Sequence, residues 1–191
     1  MNKISCKDIN NIKKMMKFYN FDELSTEDNS EIIVKFDNSF ELVTYSDLSF
    51  NNQFELFEHE MKILIEFIKR ILDKVSDKNC IIIKYNDKWV VNKTKAPELG
   101  MLLDNYLITN NWKGALLVDK DDRILELFLE SVFKYDSFMQ ILLKDSKIII
   151  SPSDHMDIFF HSNNINELEN LIIETLKFYS KDTLKYELYK V

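Results

Sequence analysis

Gly114-Ala-Leu-Leu-Val118, Lys147-Ile-Ile-Ile-Ser151 and Met156-Asp-Ile-Phe-Phe160 lie in the densest apolar block of the chain, which runs from Lys113 to Ser162. Short apolar runs bounded by turn signals read as buried strands. A long apolar run rich in helix formers reads as a helix packed on more than one side. The block is therefore expected to be the middle of the core: strand 114–118, a helix beginning near Arg123 and spanning 124–143, then strands 147–151 and 156–161. Ser151-Pro-Ser-Asp154 separates the last two as a turn. Side chains alternate along a strand, which places Met156, Ile158 and Phe160 on one face and Asp157, Phe159 and His161 on the other.

Upstream of the block, Pro97 suits the first turn of a helix ending near Ile108. Asn79–Tyr85 and Lys88–Asn92 flank Asn86-Asp87, a dipeptide that favours a two-residue hairpin turn. Between Phe54 and Val75, apolar residues at Phe57, Met61, Leu64, Ile68, Ile71 and Val75 recur in steps of four and three, which predicts one helical stripe. Leu56, Ile63 and Phe67 widen that stripe beyond a coiled-coil seam, so it reads as a core helix lying on a sheet. Ile32–Phe36 and Phe40–Tyr45 around Asp37-Asn-Ser39 predict a further hairpin, and residues 6–19 predict an amphipathic helix. Downstream, a helix over 165–178 capped by Asn163 or Asn164 is followed by a tail, Asp182–Val191, that reads as helical or frayed. Hairpins give antiparallel pairs. The expected fold is α+β, a mainly antiparallel sheet built from hairpins with several helices packed on it, in one domain over 1–191. Residues 1–29 are readable as an appended N-terminal helix and loop.

At 191 residues and 46% hydrophobic, the chain has enough apolar side chain for its own core, and a domain of that size buries about 70% of its unfolded surface. Charges interrupt every long apolar run before the roughly 18 residues of a membrane span, and Met1-Asn-Lys-Ile-Ser-Cys-Lys-Asp turns polar at once, unlike a secretory leader. The chain reads as cytoplasmic, with no membrane partner. Cys6 and Cys80 form no disulfide framework, and neither has a Cys or His at ligand spacing. Net charge of −7 and guanidinium groups at Arg70 and Arg123 alone argue against nucleic acid, whose affinity rests on clustered Lys and Arg. Gly100 and Gly114 stand alone, which excludes phosphate loops, dinucleotide fingerprints and nucleophile elbows. No cofactor and no catalytic constellation is called for.

Two clusters invite a chemical reading. Asp119, Asp121 and Asp122 follow an apolar strand, where carboxylates can hold a divalent cation or cap the next helix. An apolar strand ending in Asp-x-Asp resembles the start of phosphohydrolases of the haloacid dehalogenase type, although no Thr or Gly follows where that family's loop turns. In the second cluster, Asp154-His155-Met156-Asp157, His155 and Asp157 would share one strand face at about 6–7 Å. That is close enough to share a metal ion. The alternative is turn chemistry by Ser and Asp side chains. Three functional readings follow. An acidic interaction protein of the immunity or antitoxin type would bind a basic partner such as a nuclease through Asp22, Glu23, Glu27, Asp28, Asp119, Asp121 and Asp122. A divalent-metal phosphohydrolase or nuclease would use Asp119, Asp121, Asp154, His155 and Asp157, which requires the two clusters to meet. A homodimeric structural or regulatory protein would associate through the 54–75 helix.

Overall fold

A computed structural model describes residues 1–16, 31–36, 50–89, 96–108, 112–135, 139–179 and 184–189. Among them are strands β1 (Asn2–Ile4), β2 (Glu31–Phe36), β3 (Asn79–Lys88), β4 (Lys113–Asp119), β5 (Met139–Leu143), β6 (Ile148–Pro152), β7 (Asp157–Ser162) and β8 (Leu184–Tyr189). The helices are α1 (Cys6–Met15), α2 (Phe50–Lys74), α3 (Pro97–Asn105), α4 (Arg123–Tyr135) and α5 (Ile165–Leu176). The strands form one sheet in the order β1-β4-β3-β5-β6-β7-β2-β8, and every neighbouring pair is antiparallel. Among the described residues the fold is α+β, an eight-strand antiparallel sheet with five helices packed on it.

The two faces of the sheet are covered unequally. Cys80, Ile82, Leu116, Val118, Ile141, Leu143, Ile148, Ile150, Ile158 and Phe160 join Phe67, Ile68, Leu99, Phe128 and Leu168 of α2, α3, α4 and α5 in the large core. On the reverse face, Ile81, Ile83, Ala115, Leu142 and Ile149 meet Ile9, Ile12 and Met16, contributed by α1 and the residue after it. The stripe expected on the 54–75 helix lies on the sheet: Met61, Leu64, Ile68 and Ile71 are buried. Phe67 of this helix packs edge-on against Phe160 of β7, with ring centroids 6.1 Å apart.

Several expectations are corrected. The helix expected over 124–143 stops at Tyr135, and Met139–Leu143 is strand β5. All five of its residues are buried, with Met139, Ile141 and Leu143 facing the large core and Leu142 facing α1. A strand covered on both faces shows a continuous apolar run, which resembles a helical one. The tail is strand β8 beside β2, not a helix. Leu184, Tyr186 and Leu188 alternate onto the large core while Glu187 pairs with Lys35 at 2.9 Å on the other face. The hairpin turn expected at Asn86-Asp87 is absent, because β3 continues through it and pairs with β4 on either side, at Ile83 and at Lys88. Register shifts there instead: Ile83 faces Ala115 and Lys88 faces Lys113, so five steps along β3 match two along β4. The turn-favouring pair sits in a bulge. Both edges of β2 are occupied, by β7 and β8, so a hairpin is not how it is paired; its expected partner, 40–45, lies outside the described residues.

Polar groups at the strand ends tie the layers together. Asp77, 3% exposed, accepts hydrogen bonds from Asp145 N at 2.8 Å, Ser146 N at 3.0 Å and Ser146 Oγ, and so fixes the β5–β6 turn to the α2–β3 loop. Trp89 Nε1 donates to the Gly114 carbonyl at 2.8 Å beneath Phe128. Gly114 is required where β1 approaches: an added Cβ would lie 2.7 Å from the Ile4 carbonyl oxygen and overlap the Trp112 ring. Gly114→Ala is therefore expected to cost about 1–3 kcal/mol through overpacking. Hydrogen exchange checks the cause: protection should fall first at the amides of Asn2–Ile4, which pair with Ala115–Leu117.

Candidate functional site

Strand β4 delivers Asp119 to one end of the sheet, and Lys120-Asp121-Asp122 turns the chain into α4. Short side chains shape the turn by bonding nearby backbone. Asp119 Oδ1 accepts from Asp121 N at 3.0 Å, and the Asp119 carbonyl from Asp122 N at 3.1 Å. Asp122 Oδ1 accepts from Ile124 N at 3.0 Å, which caps the helix. Lys120 turns inward: its ammonium donates to the carbonyls of Leu72 at 2.8 Å and Val75 at 3.5 Å, closing the C-terminal end of α2. Asp119 and Asp121 are exposed and Asp122 half-buried.

The carboxylates continue along α4. Glu126 and Glu130 follow Asp122 at four-residue spacing, about 6 Å of rise per step. The face they mark borders a groove of about 420 Å³ between α3 and α4, lined by Pro97, Glu98, Leu99, Arg123, Leu127 and Ser131 beside the two glutamates and Lys134. Ion pairs cross to the neighbouring helices: Lys69–Glu126 at 2.7 Å, Lys134–Glu58 at 2.8 Å and Arg123–Glu98 at 3.6 Å. Glu98 and Ser131 were not singled out from sequence. Their approach depends on how α3 packs on α4, which neither helix's own periodicity encodes.

The second cluster is a turn. Ser153 Oγ accepts from His155 N at 3.0 Å, and Ser153 N donates to the Asp157 carbonyl at 3.0 Å. The His155 side chain is 81% exposed, 3.9 Å from Asp154. Burial pushes the Asp157 carboxyl upward, against the hydrogen bond from Ser153 and the charges of His155 and Lys35. The two clusters do not meet. Strands β3, β5 and β6 separate β4 from β7, four steps or about 19 Å. Registers run from Asp119 opposite Asn79, through Ile81 opposite Leu142 and Leu143 opposite Ile148, to Ile148 opposite Ser162. Asp119 thus lies at the end of the sheet where β7 finishes, and Asp157 lies where β7 begins. Asp119, Asp121, Asp154, His155 and Asp157 form no common site, and no group of three or more potential ligands among the described residues could hold a metal ion. Asp22, Glu23, Glu27 and Asp28 lie outside the described residues.

Burial silences two further reactive groups. The Cys80 thiol is pushed up to about 12, chiefly by desolvation, and is inert as a nucleophile. No helix of the described residues is long and apolar enough to cross a membrane. No protein-family model, curated protein or solved structure matches the chain.

His161, on the reverse face of β7, is 2% exposed, and its Nδ1 lies 3.9 Å from Glu31 Oε2 on the facing strand. Burial pulls its pKa from 6.5 down to about 4, so the imidazole is neutral in the fold. Between those values the unfolded chain binds the proton and the folded chain does not, so stability falls as pH drops through that window. The full effect is about 3 kcal/mol. Glu31 and Asp157, both raised by burial, act with the opposite sign, because the fold holds their protons more tightly than the unfolded chain does. Urea unfolding of the wild type and His161→Leu at pH 7 and pH 4.5 separates these terms. The wild type should lose more stability on acidification than the variant, and parallel losses would exclude His161 as the source.

Proposed function

We propose that this chain is an acidic interaction protein that binds the cationic surface of a basic protein, in the manner of immunity and antitoxin proteins that cover a nuclease. The observation that carries the reading is the 119–122 turn. Its one cation, Lys120, is committed to the carbonyls of Leu72 and Val75, which leaves Asp119 and Asp121 on the surface with Asp122 beside them. The carboxylates bonded to the turn's own amides keep further acceptor capacity, and their positions are set before any partner arrives. Preorganisation lowers the ordering cost of binding, and a cluster of one sign steers an oppositely charged partner toward it. The chain's net charge of −7 acts in the same direction at longer range.

The metal-enzyme reading required two clusters that the sheet holds apart. The dimer reading used an apolar stripe that α2 buries within its own chain.

Asparagine keeps an acceptor oxygen for the turn and removes the charge, so Asp119→Asn, Asp121→Asn and Asp122→Asn together change net charge from −7 to −4 (−7 + 3) with the turn preserved. In affinity capture on the immobilised chain, a basic protein is expected to bind at low salt and elute as added salt shortens the screening length from about 30 Å toward 3 Å. The triple variant should bind that protein about tenfold or more weakly, a loss of at least about 1.4 kcal/mol. Retention of equal strength by the variant, or capture that salt does not reverse, would overturn the proposal.

A further inference from the structure

We infer that the groove between α3 and α4 is a binding site for an alkylammonium group, an –NH3⁺ head on a short methylene chain. The inference stands apart from the interaction reading, because it rests on the groove and not on the 119–122 turn.

The starting observation is Ser131. It lines the groove, is 3% exposed, and its Oγ has no hydrogen-bond partner among the described residues. A serine inside a helix ordinarily returns its hydroxyl to the carbonyl four residues back, here Leu127; this hydroxyl does not. Buried polar groups are nearly always satisfied, so an orphan on a residue that lines a cavity marks a place for an external partner. Another cavity, about 250 Å³ between the end of α2 and the start of α5, lacks that feature. Its Ser146 hydroxyl donates to Asp77 and its Ser162 hydroxyl accepts from Asn164 N.

Charge decides the sign of the ligand. Glu98, Glu126 and Glu130 contribute −3 to the lining and Arg123 and Lys134 contribute +2, a sum of −1. Lys69 engages Glu126 at 2.7 Å, and Lys134 lies 2.8 Å from Glu58 and 3.6 Å from Glu130. Among the described residues, Glu98 has only a long contact, 3.6 Å, to an Arg123 side chain that is itself 80% exposed. An anion would meet three carboxylates, and a neutral polyol would leave the excess charge uncompensated. One ammonium balances it and supplies three N–H donors, for Ser131 Oγ, Glu130 and Glu98. Pro97, Leu99 and Leu127 give the methylene chain an apolar wall, the arrangement by which such stems are covered while their heads stay polar. At about 420 Å³ the groove is in the size range of small-ligand sites.

A free diamine and a lysine side chain of another protein share this chemistry, and a nitrogen-15 NMR titration of the full chain distinguishes them. The probes are cadaverine, N-acetyl-lysine methylamide, pentanediol as the uncharged analogue and glutarate as the anionic one. Saturable shifts are expected at the amides of Leu99, Leu127 and Ser131 with the two ammonium compounds and not with the diol or glutarate. Tighter binding of cadaverine assigns the site to free amines, and tighter binding of the lysine analogue to a protein side chain. Ser131→Ala and the exposed Glu98→Gln should each weaken binding by about tenfold. Ser131→Ala should at the same time leave Tm equal or higher, because it deletes an unsatisfied buried hydroxyl. Absence of saturable shifts, equal shifts with pentanediol, or undiminished binding in both variants would overturn the inference.

Discussion

Burial of the central strands on both faces is the constraint on which the rest of the structure depends. In β4, β3, β5 and β6, neighbouring residues point alternately into two different cores: Ile82 and Leu116 toward α2 and α4, Ile81 and Ala115 toward α1. A sheet of this kind is stable only when helices cover both sides, since each exposed Ile or Leu would forfeit about 2 kcal/mol of burial. The short helix α1 therefore serves as the reverse layer, held by Ile9, Ile12 and Met16, and β1 ahead of it extends the sheet beside β4.

A doubly covered sheet leaves polar groups of the chain at its ends, and there the structure places its buried hydrogen bonds. Asp77 receives the amides of the β5–β6 turn, Lys120 closes the C-terminal end of α2, and Trp89 satisfies a β4 carbonyl. Each serves a group that would otherwise be orphaned. The inward course of Lys120 has a second consequence: it withdraws a positive charge from a turn otherwise made of aspartates. A structural requirement of α2 thereby sharpens the negative surface at the start of α4.

The groove beside that turn arises in a similar way. Helix α4 buries Leu125, Phe128, Leu129, Val132 and Phe133, which leaves Glu126 and Glu130 on the flank. Helix α3 begins at Pro97 with Glu98 in its first turn, and its approach encloses Ser131 without giving its hydroxyl a partner. Ion pairs to α2 hold the α4 side of the groove. Surface pairs of this kind contribute little to stability, so their main effect here is to position carboxylates.

The sequence by itself determined the α+β class, the antiparallel pairing of β6 with β7 and the stripe of α2, and it narrowed two helix caps to the aspartates of 119–122 and to Asn163 or Asn164, because each follows from local periodicity or turn chemistry. The alternation Leu184-Lys-Tyr-Glu-Leu-Tyr189 was legible as a strand, and a helical reading of the tail overlooked its period of two. Other features were decided only by tertiary structure. Met139–Leu143 became a strand because apolar partners wait on both of its faces. Asn86-Asp87 stayed within β3 because that strand pairs with β4 both before and after it. The distance between the two acidic clusters was set by strand order, and the meeting of Glu98, Glu130 and Ser131 by helix packing. Periodicity reports which face of an element is apolar; which elements share that face is fixed by long-range burial, which no local stretch encodes.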